Sequence, residues 1–330
     1  MKNIVIIGGG TGTFTLLAGL RKFPTNNSVI VSSADDGGST GVLRRDLGVM
    51  PVGDIRQCLV GLSYTNDAIR DLFSYRFTHG TLAGHTVGNI ILAGLEKTAG
   101  DIEKAIALAG TLLNVRGAVL PVTLTPTILS ATYRDGRTVR GEHHIDEPRT
   151  RRTSPIVSLK LTPTVPANPA ALAALEKADA MVFGPGDLFT SVLPNLLVKG
   201  VAERIRASSA KKIVITNIMT KPGQTDGFSA SDFIRVIAAY LSIKTAPCIP
   251  DIALINTKKP PASRLAQYKK QGAAPVTPDS TAIRALGVAV IAADMLSRHA
   301  YRPPAGDHLA RSALRHDSDK TAKIIWKLIS

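Results

Sequence analysis

The first twenty residues, MKNIVIIGGGTGTFTLLAGL (1–20), decide the fold. Four apolar residues, Ile4 to Ile7, run straight into Gly8, Gly9, Gly10, Thr11 and Gly12, and Leu16, Leu17 and Leu20 then recur at helical spacing. That order predicts strand, tight turn, helix. A helix starting directly after a glycine-rich turn presents unpaired N–H groups and the positive end of its dipole, and missing Cβ atoms let an anion approach the backbone. The turn therefore reads as a phosphate site. It is not the dinucleotide fingerprint G-x-G-x-x-G, because Thr13 and Thr15 stand where the third glycine would be. No Gly-Lys-Ser/Thr follows either, which excludes a Walker loop.

Working outward, a second strand over Val29 to Ala34 feeds DDGGSTG (35–41), and strand, helix, strand in this order gives a right-handed crossover and a parallel sheet. Helical patterns over 54–63, 67–77, 86–99 and 101–113 exceed what a Rossmann half needs and predict a helical cap over one sheet edge. The run TILSATYRDGRTVRGEHHI (127–145) alternates about Asp135-Gly136 and predicts an antiparallel hairpin insertion spanning about 116–162. On such a strand His143 and His144 would point to opposite sides and could not share a metal. From Pro166 the alternation resumes: helix 169–177, strand 180–183, helix to about 206, strand 211–216, helix 231–241, strand 288–292 and a C-terminal helix near 318–328. The expected fold class is α/β: a Rossmann-like, mostly parallel sheet with helices on both faces, a helical cap and the hairpin insertion, in one domain over 1–330.

With 330 residues, 44% of them hydrophobic, the chain can bury a substantial core. No apolar run is long enough to span a membrane and the N-terminal apolar segment is too short for a signal peptide, so a cytoplasmic location is expected. Cys58 and Cys248 lie too far apart in sequence to suggest a zinc or disulfide pattern. The net charge of +15 is spread in pairs, and only 5% of residues are aromatic. That argues against stacking on single strands and for a solvated basic surface that attracts phosphates, with nucleic acid not an expected partner.

Five loops fall where strands end or helices begin: GGGTG (8–12), DDGGSTG (35–41), HTVGN (85–89), GPGDLFTS (184–191) and TNIMTKPGQTDGFSASD (216–232). In an open α/β sheet, ligands bind at the carboxyl ends of the strands. Asp35 and Asp36 suit a ribose hydroxyl or a water-mediated magnesium ion, or serve as turn acceptors. Ser39 sits in a G-x-S-x-G pattern, but the H-G-G-G companion of hydrolases is absent. His85 and Asn89 share a helical face at i and i+4, where His85 could donate to a phosphate or cap the helix. Asn217, Thr220 and Thr225 carry groups able to read a sugar or base edge.

Taken together, IGGGTGTFTLLAGLRKFP, ADDGGSTGVLRRDLGVMPVGDIRQCLVGLS, LFSYRF, LAGHTVGNIILAGL, LNVRGAVLPVT, FGPGDLFTSVLPNLLVKGVAERI and TNIMTKPGQTDGFSASDFI resemble the gluconeogenesis factor (YvcK-like) branch of the CofD-like family. The resemblance implies a Rossmann-like core that binds a phosphorylated nucleotide across its strand ends. In this branch the ligand is UDP-N-acetylglucosamine, and the protein is a cytoplasmic factor for cell shape and envelope synthesis on gluconeogenic carbon. The other branch implies a transferase that places a 2-phospho-L-lactate-type group on a deazaflavin alcohol. By position, Gly9, Gly10, Thr11, Gly12 and Thr13 would hold phosphates while Asp36, Asp54 and Arg56 line the mouth. Tyr268 in YKKQGAAPV resembles a tyrosine near the base, and Arg315 in RHD a basic residue folding back on the ligand. With Asp35, Gly37, Ser39, His85, Asn89, Gly184, Gly186 and Asn217 these form the candidate ligand-binding set. No catalytic residue is singled out, and the one cofactor to consider is magnesium held with a diphosphate. Expected partners are a UDP-sugar, a second copy of the chain and regulatory proteins. KPPASRLAQ (259–267) and RPPAGDHLARSAL (302–314) depart from the pattern and mark a variable C-terminal segment over about 257–330.

Overall fold

The computed structural model describes residues 1–148, 153–243, 245–298 and 313–330. Its ten strands are β1 (Lys2–Ile7), β2 (Thr25–Val31), β3 (Ala118–Pro121), β4 (Ile128–Tyr133), β5 (Thr138–Arg140), β6 (Ile156–Thr162), β7 (Ala180–Phe183), β8 (Lys211–Ile215), β9 (Ile252–Asn256) and β10 (Ala289–Ala293). Seven form a parallel sheet in the order β10-β9-β8-β7-β1-β2-β3, and three form a small antiparallel sheet in the order β5-β4-β6. Numbered within the large sheet alone, the strand order is that of a doubly wound fold, with its switch point between β1 and β7.

The apolar run Ile4–Ile7 reads as it does because β1 is central and covered on both faces. Ile4 and Ile6 enter one core with Val29, Val31, Val182 and Ile215. Val5 and Ile7 enter the other with Ile30, Phe183 and Val214. Helices Gly10–Leu20, Gly53–Leu62, Val87–Ala99, Ile102–Leu112 and Ser318–Ile329 supply the first core. Helices Pro169–Glu176, Val201–Ala207 and Ala230–Leu241, with the small sheet, supply the second.

Several boundaries differ from the sequence expectation. The insertion was expected from about residue 116, but β3 pairs with β2 as the parallel edge of the main sheet, so the antiparallel segment starts beyond Pro121. The turn at Asp135-Gly136 is present, with Gly136 at φ +85, and β6 returns along β4 as a third strand. His143 and His144 are not on a strand. They belong to the short helix Glu142–Asp146, their ring centroids 5.7 Å apart, because Asp36 accepts the His143 N–H at 2.8 Å and turns the chain there. The helix over 67–77 stops at Ser74, and β9, with no counterpart in the sequence reading, lies inside the sheet. Among the described residues no helix is long and apolar enough to cross a membrane.

Candidate functional site

At the switch point the chains leaving β1 and β7 part and leave a crevice of about 940 Å3 at the carboxyl ends of the strands. It runs from the loop after β2, past those after β1 and β7, to the loop after β8. Gly9 precedes the first turn of the helix Gly10–Leu20 in extended conformation, and Gly10 takes φ +69, a region that side-chain-bearing residues rarely adopt. The neighbouring glycines answer to contact instead. A Cβ at Gly9 would lie 1.8 Å from Asp54 Oδ2, and one at Gly12 would lie 2.4 Å from the Pro185 carbonyl oxygen. Thr13 is buried beneath, its hydroxyl donating to the same carbonyl at 3.3 Å.

Four aspartates, Asp35, Asp54, Asp146 and Asp187, and two glutamates, Glu142 and Glu147, line this end of the sheet. Burial, then the charge of Asp35, raises the Asp54 carboxyl to about 7, although the Gly10 N–H and Arg56 pull the other way. Burial likewise raises Asp35 and Glu142. Lys221 lies between Asp146 Oδ1 at 2.5 Å and Asp187 Oδ2 at 2.7 Å. Burial opposes both charges, but the two carboxylates keep Lys221 protonated and Lys221 holds Asp146 below its usual value.

A second polar chain fixes Arg56. Its Nε donates to Asn89 Oδ1 at 2.9 Å, Asn89 Nδ2 donates to Ser39 Oγ at 3.1 Å, and Ser39 Oγ meets His85 Nδ1 at 3.0 Å. Gly88 leaves the room Arg56 needs, since a Cβ there would come within 2.7 Å of its Cδ. Toward β8 the wall changes character. Ile218, Met219, Tyr268, Ala273 and Leu314 make a small apolar cluster separate from both main cores, and all five line the crevice. The Tyr268 hydroxyl accepts the Leu314 N–H at 3.0 Å.

This geometry agrees with what the chain resembles in sequence and in fold. The profile described as 2-phospho-L-lactate transferase CofD matches residues 4–296. A gluconeogenesis factor of Halalkalibacterium halodurans is 42% identical over 88% of both chains. That of Bacillus subtilis is 37% identical over 99% of this chain and 98% of its own. A crystal structure of a protein from Bacillus halodurans superposes with a TM-score of 0.88 at 39% identity, covering 98% of each chain. The chain belongs to the CofD-like family, in its gluconeogenesis-factor branch.

Among the candidates for this CofD-like protein, Gly9, Gly10, Thr11, Gly12, Asp35, Gly37, Ser39, Asp54, Arg56, Asn89, Gly186, Asn217, Tyr268 and Arg315 line one crevice. Four do not. Thr13 and Gly184 lie beneath it, Gly184 supplying a left-handed turn at φ +75. His85 stands behind Ser39, two residues ahead of the helix Val87–Ala99, so it shares no helical face with Asn89 and does not line the crevice. Asp36 is turned away, spent on the His143 N–H from the insertion, whereas Asp35, which lines the crevice, is the turn acceptor of the pair, taking the Gly37 N–H at 2.9 Å. Sequence reasoning passed over Gln57, Glu142, Asp146, Asp187, Lys221 and His316, all lining residues. Asp187 and Lys221 lay inside loops already marked by glycine, whereas Glu142 and Asp146 arrive from the insertion and carry no local signal.

Proposed function

We propose that this protein is a nucleotide-sugar-binding regulatory factor, taking a ligand of the UDP-N-acetylglucosamine type in the switch-point crevice without turning it over. Through that ligand it serves cell shape and envelope synthesis during gluconeogenic growth, acting in the cytoplasm. The observation that carries the reading is the division of the crevice. Near β1 it offers a helix N-terminus on a glycine turn and the fixed cation Arg56, which suit a diphosphate. Near β8 it offers an apolar wall with one aromatic ring, which suits a base. The relatives' name, gluconeogenesis factor, supports the link to gluconeogenic growth.

Asp35 and Asp54 offer the hard oxygen donors that a magnesium ion shared with a diphosphate takes. Among the described residues no group of three or more His, Cys, Asp or Glu is placed to hold a metal, which fits an ion that keeps several waters and leans on the ligand. When bound, it would supply charge neutralisation to the phosphates. A transferase of the 2-phospho-L-lactate type is the second reading, and Asp54 favours it: a carboxyl raised to about 7 beside the phosphate turn is poised to accept a proton from an attacking hydroxyl.

Thermal shifts measured side by side with UDP-N-acetylglucosamine, NAD and GDP test the proposal. A ligand at a hundred times its dissociation constant stabilises by about 2.7 kcal/mol. A selective response to the UDP-sugar is expected. Product formation with a deazaflavin alcohol acceptor would establish the transferase instead.

A further inference from the structure

Opposite the crevice, at the amino ends of the strands, the surface carries an apolar stripe ringed by cations. Helix Ile102–Leu112 packs on the first core through Ile102, Ala105, Ile106 and Ala109, and leaves Lys104, Leu108 and Leu112, spaced i, i+4 and i+8, on its solvent side. Leu108 is 49% and Leu112 58% exposed. Glu103, the acid within this helix, is engaged elsewhere, its Oε1 accepting Asn168 Nδ2 at 3.0 Å. The outward stripe is therefore two leucines with a lysine at their head.

At the tail of the stripe, arginines gather about one ring. Ser63 Oγ donates to the Leu113 carbonyl at 2.7 Å and the Tyr64 N–H to the Asn114 carbonyl at 3.2 Å, which sets Tyr64, 39% exposed, beside the end of the helix. The Arg116 guanidinium lies 4.6 Å from the centre of the Tyr64 ring and that of Arg21 5.9 Å from it. Arg70 stands near enough that its charge, after burial, pulls Arg21 below its ordinary value. Asp67 pairs with Arg70, while among the described residues no carboxylate lies within ion-pair distance of Lys104, Arg21 or Arg116. Arg21 ends the path of the helix leading from β1 back to β2, and Arg116 stands just ahead of β3, which fixes this face at the amino edge of the sheet.

We propose that this face docks the protein reversibly on an anionic bilayer, with Leu108, Leu112 and Tyr64 entering the headgroup boundary and Lys104, Arg21, Arg70 and Arg116 meeting lipid phosphates. Leucines on one side of a helix with cations at both ends are the pattern of an interfacial element, and each Lys or Arg near an anionic leaflet adds to the attraction. The net charge of +15, spread in pairs over the surface, suits an extended anionic plane better than a single point ligand. A second copy is the poorer occupant, because pairing the face with itself sets cations against cations. Three apolar side chains are also a small core for the roughly 800 Å2 per partner that a stable protein interface buries, whereas a bilayer needs only a few inserted groups backed by charge. The crevice, at the other ends of the strands, stays open to solvent in this pose.

The test is co-sedimentation of the full chain with vesicles of phosphatidylcholine and phosphatidylglycerol in equal parts, and of phosphatidylcholine alone, at physiological salt. Wild type should bind the mixed vesicles about tenfold or more tighter than the neutral ones. Leu108→Ser with Leu112→Ser, which leaves the charge unchanged, and Arg116→Glu should each weaken that binding about fivefold or more. Lys269→Glu with Lys270→Glu, on the helix Ala262–Lys270 whose Tyr268 lines the crevice, changes more charge than Arg116→Glu but sits away from the face, and should alter binding about twofold or less. Thermal melts report whether each variant is folded, and either folded variant of the face suffices. Wild type that stays in the supernatant, variants of the face that bind like wild type, or a lysine pair that costs as much as Arg116→Glu would overturn the proposal; the last would leave only diffuse charge. Light scattering adds one more contrary result: a dimer that the face variants split, with no vesicle binding, would give the face to a second copy.

Discussion

Replacing Gly12 by alanine probes the switch point through a single methyl group. Its Cβ would lie 2.4 Å from the Pro185 oxygen and 2.7 Å from the Pro185 carbonyl carbon, both backbone atoms that no rotamer change can move aside. Carbon contacts settle at roughly 3.5–4.0 Å, so the loops after β1 and β7 must separate by about 1 Å. Overpacking of this kind costs about 1–3 kcal/mol. The larger effect falls on binding, because those two loops form facing walls of the crevice, and a shift of about 1 Å in positioned groups can cost on the order of 100-fold. Gly94 is the control. It lies in the helix Val87–Ala99 with nothing within 4 Å of its would-be Cβ, so Gly94→Ala should stabilise by roughly 0.5–1 kcal/mol and leave affinity unchanged. Urea unfolding and titration of UDP-N-acetylglucosamine read the two effects separately. A Gly12→Ala protein with wild-type stability and affinity would refute the claim that loop contact at the switch point shapes the site.

Asp54, raised to about 7 by burial, holds its proton more tightly folded than unfolded, so its contribution to stability is full below about pH 4 and is lost as pH rises through 7. Asp54→Asn should flatten that limb of a stability-versus-pH curve and gain on the order of 2 kcal/mol over wild type at pH 8, read by denaturant unfolding. His316, lowered to about 4, has the opposite sign: its contribution is present above about 6.5 and lost as pH falls toward 4, and His316→Gln should remove that acid limb. Lys221→Met leaves Asp146 and Asp187 without their shared cation and should cost about 3–5 kcal/mol at neutral pH, less in acid, again by urea unfolding. Asn89→Ala removes the link between Arg56 and Ser39 and should weaken diphosphate binding about tenfold or more while pH dependence of stability stays as in wild type, which titration and melts together would show.

Local pattern was enough where an element answers to its own residues. The run Ile4–Ile7 before four glycines, the helix after it and the strand Ala180–Phe183 needed only burial on both faces and a tight turn to be readable. β9 did not announce itself, since a five-residue run, Ile252–Asn256, becomes a strand by pairing with β8 and β10, and a loop with two lysines and two prolines rather than a glycine turn separates it from the helix Ala262–Lys270. At the site, glycine flagged the loops but not which side chains face inward. Asp35 and Asp36 are adjacent and identical in sequence terms, and only the arrival of the His143 N–H, 107 positions later, turns one away and leaves the other in the crevice. Glu142 and Asp146 reach the site the same way, on a helix within the segment joining β5 to β6.

The central claim is that a nucleotide diphosphate lies across the strand ends at the β1–β7 switch point, and a crystal structure of the protein with UDP-N-acetylglucosamine tests it most directly. The account predicts the diphosphate within hydrogen-bond distance of the backbone N–H groups of the turn from Gly10 to Thr13, near Arg56, with the uracil against Tyr268 and Leu314 on the β8 side. A crevice that stays empty at saturating ligand, or a ligand bound away from the glycine turn, would contradict it.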